Sequence, residues 1–317
     1  MASIDKVKIK GKTYLKFIKK STFMGKKFVF KEHLGKSTAS ITKEKYLLEN
    51  LDKITNEELK FKLDFLKTIS NKLSHSDSLP VKIEEKAIKI NNLKEIKKYP
   101  KAIETDFAIK FIFNSNNIEG SKIPENVVKN IIETGNLSYK NKNEAREALN
   151  SIDAFEYLKD FNFNFASIKR LYYILTNKLI MENSNPYPKG FKKVDLVVGN
   201  FPTSNPSSVE KELENLIKWY KKNKGKIHPL ILAFDFHLEY EIIHPFRDAN
   251  GRTGRLILNK ILMQNGYPPI IVYEKNKEAY FNAFEKARDG RKKKYYQFML
   301  EQTDKSYNYL LELLNKY

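Results

Sequence analysis

None of the 317 residues is cysteine, which excludes disulfides, thiolate chemistry and Cys-ligated zinc. No apolar stretch approaches the length that crosses a bilayer, and residues 1–19 lack the apolar core of a signal peptide. A cytoplasmic location with no membrane role is therefore expected. No internal repeat is visible. What the chain does have is 41% hydrophobic content in patterned runs, enough for one sizeable core with an appended region. Acidic residues are far outnumbered, and the formal net charge is +20. Such an excess can serve nucleic acid or an acidic partner. Here the lysines take the polar positions of most expected helices instead of forming one stripe interleaved with aromatics, so they read as solvated faces. A basic nucleic-acid-binding module is the weakest of the readings, and residues 6–31 are the one place where the basic charge is local.

Those residues alternate apolar and basic side chains around Gly11-Lys12 and Gly25-Lys26, which predicts a small β-ribbon. An amphipathic pattern over 41–75 predicts one or two helices, and 76–80 reads as a linker. Further helices are expected over 99–116, 141–161, 165–181, 209–222, 227–243, 255–264, 277–289 and 292–316. The fold class is predominantly α.

The densest chemistry lies in HPFRDANGRTGR, residues 244–255. Upstream, Leu230, Phe234, Leu238 and Ile242 recur at helical spacing, and Pro245 interrupts that helix, placing His244 at a helix-to-loop corner. Downstream an apolar helix is expected from Arg255 to a stop at Gly266, with Asn250-Gly251 as its turn signal. A loop feeding a helix N-terminus offers unpaired N–H groups and a positive dipole, which together suit an anion such as phosphate. Ala249 and Gly251 let the backbone approach closely, and Arg252 and Arg255 share one side of the opening turn. Asp248 supplies a hard oxygen through which Mg²⁺ could bridge to phosphate oxygens. Phe246 reads as a buried anchor. His237, seven residues before His244, reads as a packing residue. Taken singly each residue is more simply structural; taken together they describe a nucleotide-handling site.

This run, His244 to Arg252 followed by Arg255, resembles the signature of the Fic family. The family pattern usually has Gly where Ala249 stands and tolerates Ala there. The related Doc branch, which transfers phosphoryl groups, normally has Lys at the position of Gly251, so Gly251 favours nucleotidyl transfer. The resemblance implies an all-α Fic-type core with a β-hairpin flap, preceded by the N-terminal β-ribbon and helices. It divides the chain into 1–100, of unassigned role, and a core over 101–317. It further implies a protein adenylyltransferase using ATP and Mg²⁺ to modify a Ser, Thr or Tyr hydroxyl of a protein, with this chain itself as one candidate target. His244 is then the general base and Asp248 the Mg²⁺ ligand. Asn250 and the Gly251 backbone hold the α- and β-phosphates, and Arg252 and Arg255 neutralise the outer phosphates.

Upstream, Ser115-Asn116-Asn117-Ile118-Glu119-Gly120 is similar to the inhibitory motif of many Fic proteins. By itself it reads as a helix, over 106–120, ending at Gly120 with Pro124 starting the next. The resemblance implies instead that Ser115, Glu119 and Gly120 form an inhibitory element, with Glu119 on Arg255. Val194, Leu196, Val197 and Val198 before Gly199-Asn200 predict a short hairpin. The resemblance makes Val194, Leu196 and Val198 a flap that docks a target segment by strand addition, with Lys192 where the family often has Arg. A second reading runs the chemistry in reverse, with Glu119 orienting water to remove AMP. Homo-oligomerisation is left open.

Overall fold

The structure, a computed structural model, describes residues 1–36, 41–72, 78–97, 101–181 and 184–316, leaving the side chain of Thr68 aside. The expected helix end at 73–75, the linker residues 76–77 and the expected helix start at 99–100 lie outside the described residues. The chain divides into two compact units, and the division in sequence falls inside two of its helices.

The first unit comprises Met1–Glu104, Gly225–His228 and Tyr307–Tyr317. It opens with three strands, β1 (Ala2–Ile9), β2 (Lys12–Phe23) and β3 (Lys26–Lys36), in an antiparallel β1-β2-β3 meander. Lys10-Gly11 and Met24-Gly25 link them, each pair with positive φ at both residues, the geometry of a two-residue turn that matches strand twist. Leu15, Phe17 and Phe23 alternate inward along β2, while the lysines between them face out, apart from the buried Lys19. Three helices follow: α1 (Lys43–Glu49), α2 (Leu51–Lys72) and α3 (Leu79–Ile96). Thr42 caps α1 by accepting from Lys45 N at 3.2 Å. The sequence reading did not foresee α3, because its inward face includes Glu84 and Asn92 and so lacks a clean apolar stripe. Glu84 is wholly buried and bonds Lys62 Nζ at 2.8 Å, with His228 Nε2 3.7 Å from its other oxygen.

The second unit comprises Thr105–Lys224 and Pro229–Ser306. Its helices are α4 (Lys101–Ile118, whose first turn belongs to the first unit), α5 (Glu125–Thr134), α6 (Lys142–Tyr157) and α7 (Phe165–Leu175). A hairpin, β4 (Val197–Val198) and β5 (Phe201–Pro202), precedes α8 (Val209–Asn223), α9 (Pro229–Ile243), α10 (Asn250–Gln264), α11 (Lys277–Arg288) and α12 (Lys292–Lys316). The protein is mainly helical, with a hairpin flap and an N-terminal ribbon, as the sequence predicts. α9 is apolar almost all round and packs against α8 and α10, the pattern of a central helix. No helix among the described residues is long and apolar enough to cross a membrane.

Three local expectations are corrected. The helix over 165–181 stops at Leu175. The helix predicted from Arg255 begins at Asn250, so Asn250-Gly251 is its first turn and not a loop turn. Strand pairing in the flap is confined to Val197–Val198 and Phe201–Pro202. Val194 and Leu196 precede it, with the Leu196 carbonyl accepting from Thr203 N at 2.9 Å.

Candidate functional site

Two left-handed residues shape the loop between α9 and α10. His244 N still donates to Tyr240 O at 2.9 Å, yet its φ is 51°, where the helix turns away ahead of Pro245. Ala249, at φ 58°, brings the chain back into α10. Non-glycine residues adopt this conformation at a cost of about 1–2 kcal/mol, which the loop's packing must outweigh. Phe246 supplies much of that packing: it is fully buried and stacks on Tyr172 with ring centroids 4.1 Å apart and planes 3° from parallel. The Asn250 side chain closes the loop, accepting from Phe246 N at 2.8 Å and donating to Phe246 O at 2.9 Å. Its amide is thereby committed to the loop, while its backbone opens α10. Ala249 provides no side-chain cap, so the positive end of α10 is left to an incoming anion.

Both arginines are buried with carboxylate partners. Arg252 pairs with Glu147 of α6 and lies 3.8 Å from Asp248 Oδ1. Burial works against its charge, but Glu147 and then Asp248 outweigh that and raise its pKa. Arg255 donates from Nε to Ser115 Oγ at 3.0 Å and from a terminal nitrogen to Ser115 O at 2.8 Å and Glu119 Oε1 at 2.7 Å. Burial opposes its charge too, and Glu119 more than restores it. Glu119 reaches this position because α4 ends in a tight turn: Ser121 N returns to Asn116 O at 3.2 Å, and Gly120 has φ 108°. Gly251 supplies the space, since a Cβ there would stand 2.2 Å from Glu119 Oε1 and 2.9 Å from an Arg255 nitrogen.

Asp248 is half-exposed; its Oδ1 accepts from Ala249 N and its Oδ2 from the Tyr187 hydroxyl at 3.0 Å. Among the described residues no three His, Cys, Asp or Glu side chains cluster around a metal position. Lys192 is buried, donating to Thr203 Oγ1 at 2.6 Å and Ile243 O at 3.0 Å, and so pins the flap to the end of α9. Burial first, then Lys192, holds the His244 imidazole down to about 4, leaving it neutral and able to accept a proton.

His244, Glu119 and Arg255 line a cavity of about 260 Å³ together with Val198, Phe201 and Tyr280. The flap closes onto α11 through Asn200 Nδ2 donating to Glu285 Oε1 at 3.2 Å and the Arg288 guanidinium 4.9 Å from the Phe201 ring. Sequence reasoning missed Glu147 and Tyr187, which contact the motif from far along the chain. It also missed Glu241, three residues before His244, whose position on the same helical face was the available signal.

The Fic/DOC family model matches residues 163–262, which include the whole loop. The chain is similar to the curated "Protein adenylyltransferase Fic" of Aedes aegypti, 25% identical over 231 residues, covering 71% of this chain and 46% of that protein. It is 27% identical over 212 residues to the protein of that name from Culex quinquefasciatus, covering 65% and 42%. The chain thus spans less than half the length of these relatives. In fold it is similar to a Fic family protein from Desulfovibrio desulfuricans (TM-score 0.64, 24% identity, 74% of each chain). A Fic-domain signalling protein from Bacteroides thetaiotaomicron is also similar (TM-score 0.63, 20% identity, 74% of this chain and 98% of that one). Residues 163–262, which hold the whole loop between α9 and α10, thus match a Fic domain, and in fold the chain is similar to Fic-domain proteins.

Proposed function

We propose that this protein is an adenylyltransferase that moves AMP from ATP to a hydroxyl side chain of a protein, and that Glu119 holds it in a slow resting state. The observation that carries this reading is the Glu119–Arg255 ion pair at 2.7 Å, formed beside a neutral His244 and the uncapped start of α10. Any polyphosphate seated on that helix end competes with Glu119 for Arg255.

In the forward reaction His244 takes the proton of the acceptor hydroxyl, and the resulting oxygen attacks the α-phosphorus while pyrophosphate leaves. The N–H groups of Gly251 and its neighbours at the head of α10 hold phosphate oxygens, and Arg252 and Arg255 offset the charge of the outer phosphates. Catalysis then rests on positioning and charge, with no covalent enzyme intermediate. The half-exposed oxygens of Asp248 fit a Mg²⁺, which Asp248 would hold and which would offset the charge of the phosphates. The apolar lining of the cavity, with Val198 and Phe201, suits the nucleotide base, and the exposed Val197 edge of the flap suits an extended target segment.

The test is ATP carrying its tag on either the α- or the γ-phosphate. Protein-bound label from the α-tag alone, with release of pyrophosphate, is expected. Label from the γ-tag would mean phosphoryl transfer and overturn the assignment.

A further inference from the structure

His237 and Glu241 lie four apart on one face of α9, and His244 follows the end of that helix, three residues beyond Glu241. We propose that Glu241 is the positioning residue of His244, its carboxyl group facing the Nδ1 side of the ring so that Nε2 is the nitrogen presented to an acceptor hydroxyl. This rests on the adenylyl-transfer reading above and adds to it a residue that the motif does not contain.

Three observations carry it. Glu241 Oε2 stands 3.7 Å from His244 Nδ1, and Oε1 stands 4.0 Å from His237 Nδ1. His244 Nδ1 and Glu241 Oε1 are both closed to solvent and lack a side-chain hydrogen-bond partner among the described residues, the Glu241 backbone being the other group against the His244 ring. Buried polar groups left unmatched are costly, and turning the ring towards Oε2 would satisfy the first. Finally, the carboxyl occupies a space made for it: a Cβ on Gly254 of α10 would fall 2.4 Å from Glu241 Oε1 and 3.0 Å from His237 Nδ1. His237 is itself fixed, with Nε2 2.8 Å from the Tyr280 hydroxyl, so Glu241 is bracketed by two imidazoles, one of them immobile.

With Nδ1 enclosed and His244 lining the cavity, Nε2 is the nitrogen left for chemistry. It can act as a base only when Nδ1 carries the ring's proton, and a carboxyl oxygen opposite Nδ1 selects that tautomer. The other groups facing His244 are Lys192, Glu119 and Asp248; those facing Glu241 are Arg255 and Glu119. Among them burial dominates, raising Glu241 to about 8, so the resting pair is a neutral acid beside a neutral imidazole. As His244 takes the substrate proton, the Glu241 carboxyl, 3.7 Å from Nδ1, is the side chain placed to accept the strengthened Nδ1–H bond.

The test compares the wild type, Glu241→Gln and Glu241→Ala by ¹⁵N spectroscopy of the histidine rings without nucleotide, and by labelling kinetics in a Glu119→Gly background. The wild type and Gln variant should hold His244 in the Nδ1–H tautomer, and the Ala variant should populate the Nε2–H form. A second step in the wild-type His244 resonance near pH 8, from Glu241, should vanish in the Gln variant. In kinetics the Ala variant should lose about ten- to a hundredfold in kcat with little change in the KM for ATP, and Gln should recover most of it. An Ala variant that keeps the Nδ1–H tautomer overturns the proposal, as does a Gln variant no better than Ala. If the tautomer changes as expected but no variant transfers label, Glu241 positions His244 and the adenylyl-transfer reading is what fails.

Discussion

Glu119 accepts from Arg255 at 2.7 Å in a space that exists because residue 251 has no side chain. Gly251→Ala should therefore push the tip of Glu119 off Arg255, offsetting the helix propensity that Ala gains over Gly, and the same substitution should be the more favourable when Glu119 is also replaced by Gly. Urea unfolding of the four proteins in a double-mutant cycle measures it. Additive effects would mean that the two residues do not share the space.

The Glu84 ion cluster predicts acid sensitivity in the first unit. Burial pushes this carboxyl up, but Lys62 and then His228 hold it down to about 2, below the ordinary 4.5. A depressed carboxylate stabilises the fold above its unfolded pKa and loses that contribution as pH falls from about 4.5 towards 2. Glu84→Gln should flatten the stability profile over this window and, at neutral pH, cost about 3–5 kcal/mol by leaving a buried lysine charge without its carboxylate. An unaltered pH slope would contradict the assignment.

Burial, followed by the positive charge of Lys192, depresses His244 to about 4 from 6.5. The imidazole is thus uncharged above that value, and the acid limb of labelling should lie well below neutral pH. Removing the cation with Lys192→Met should move the His244 midpoint upward, towards 6.5, as followed by its ring resonances. A midpoint that stays or falls would show that Lys192 does not act on His244.

Asp248 is a half-exposed carboxylate of the loop, and Tyr187 bonds one of its oxygens. Chelation of divalent cations and Asp248→Ala should each abolish labelling in the Glu119→Gly protein. Tyr187→Phe should lower the Mg²⁺ concentration needed for half-maximal rate severalfold. Labelling that survives a chelator would remove Asp248 from the account.

Residues 244–255 stand out in the sequence because an imidazole, a carboxylate and several cations fall within twelve consecutive positions. Their partners are not encoded so locally. Glu147 lies 105 positions from Arg252, and Ser115 lies 140 from Arg255, separations that helical periodicity does not report. Asn250-Gly251 reads as a turn by propensity, but the left-handed Ala249 and the Asn250–Phe246 clasp place both residues inside the first helical turn. The same clasp commits an amide that the motif suggests for phosphate. α3 escaped notice because burying Glu84 needs Lys62 and His228, and neither is a neighbour in sequence.

Labelling from α-phosphate-tagged ATP with Mg²⁺ tests the central claim, with the wild type, Glu119→Gly and Glu119→Gly/His244→Ala side by side. Strong label on Glu119→Gly, with little on the wild type and none on the double variant, is the predicted result. Equal label on the wild type and Glu119→Gly would contradict inhibition through Arg255, and undiminished label on the double variant would contradict His244 as the base.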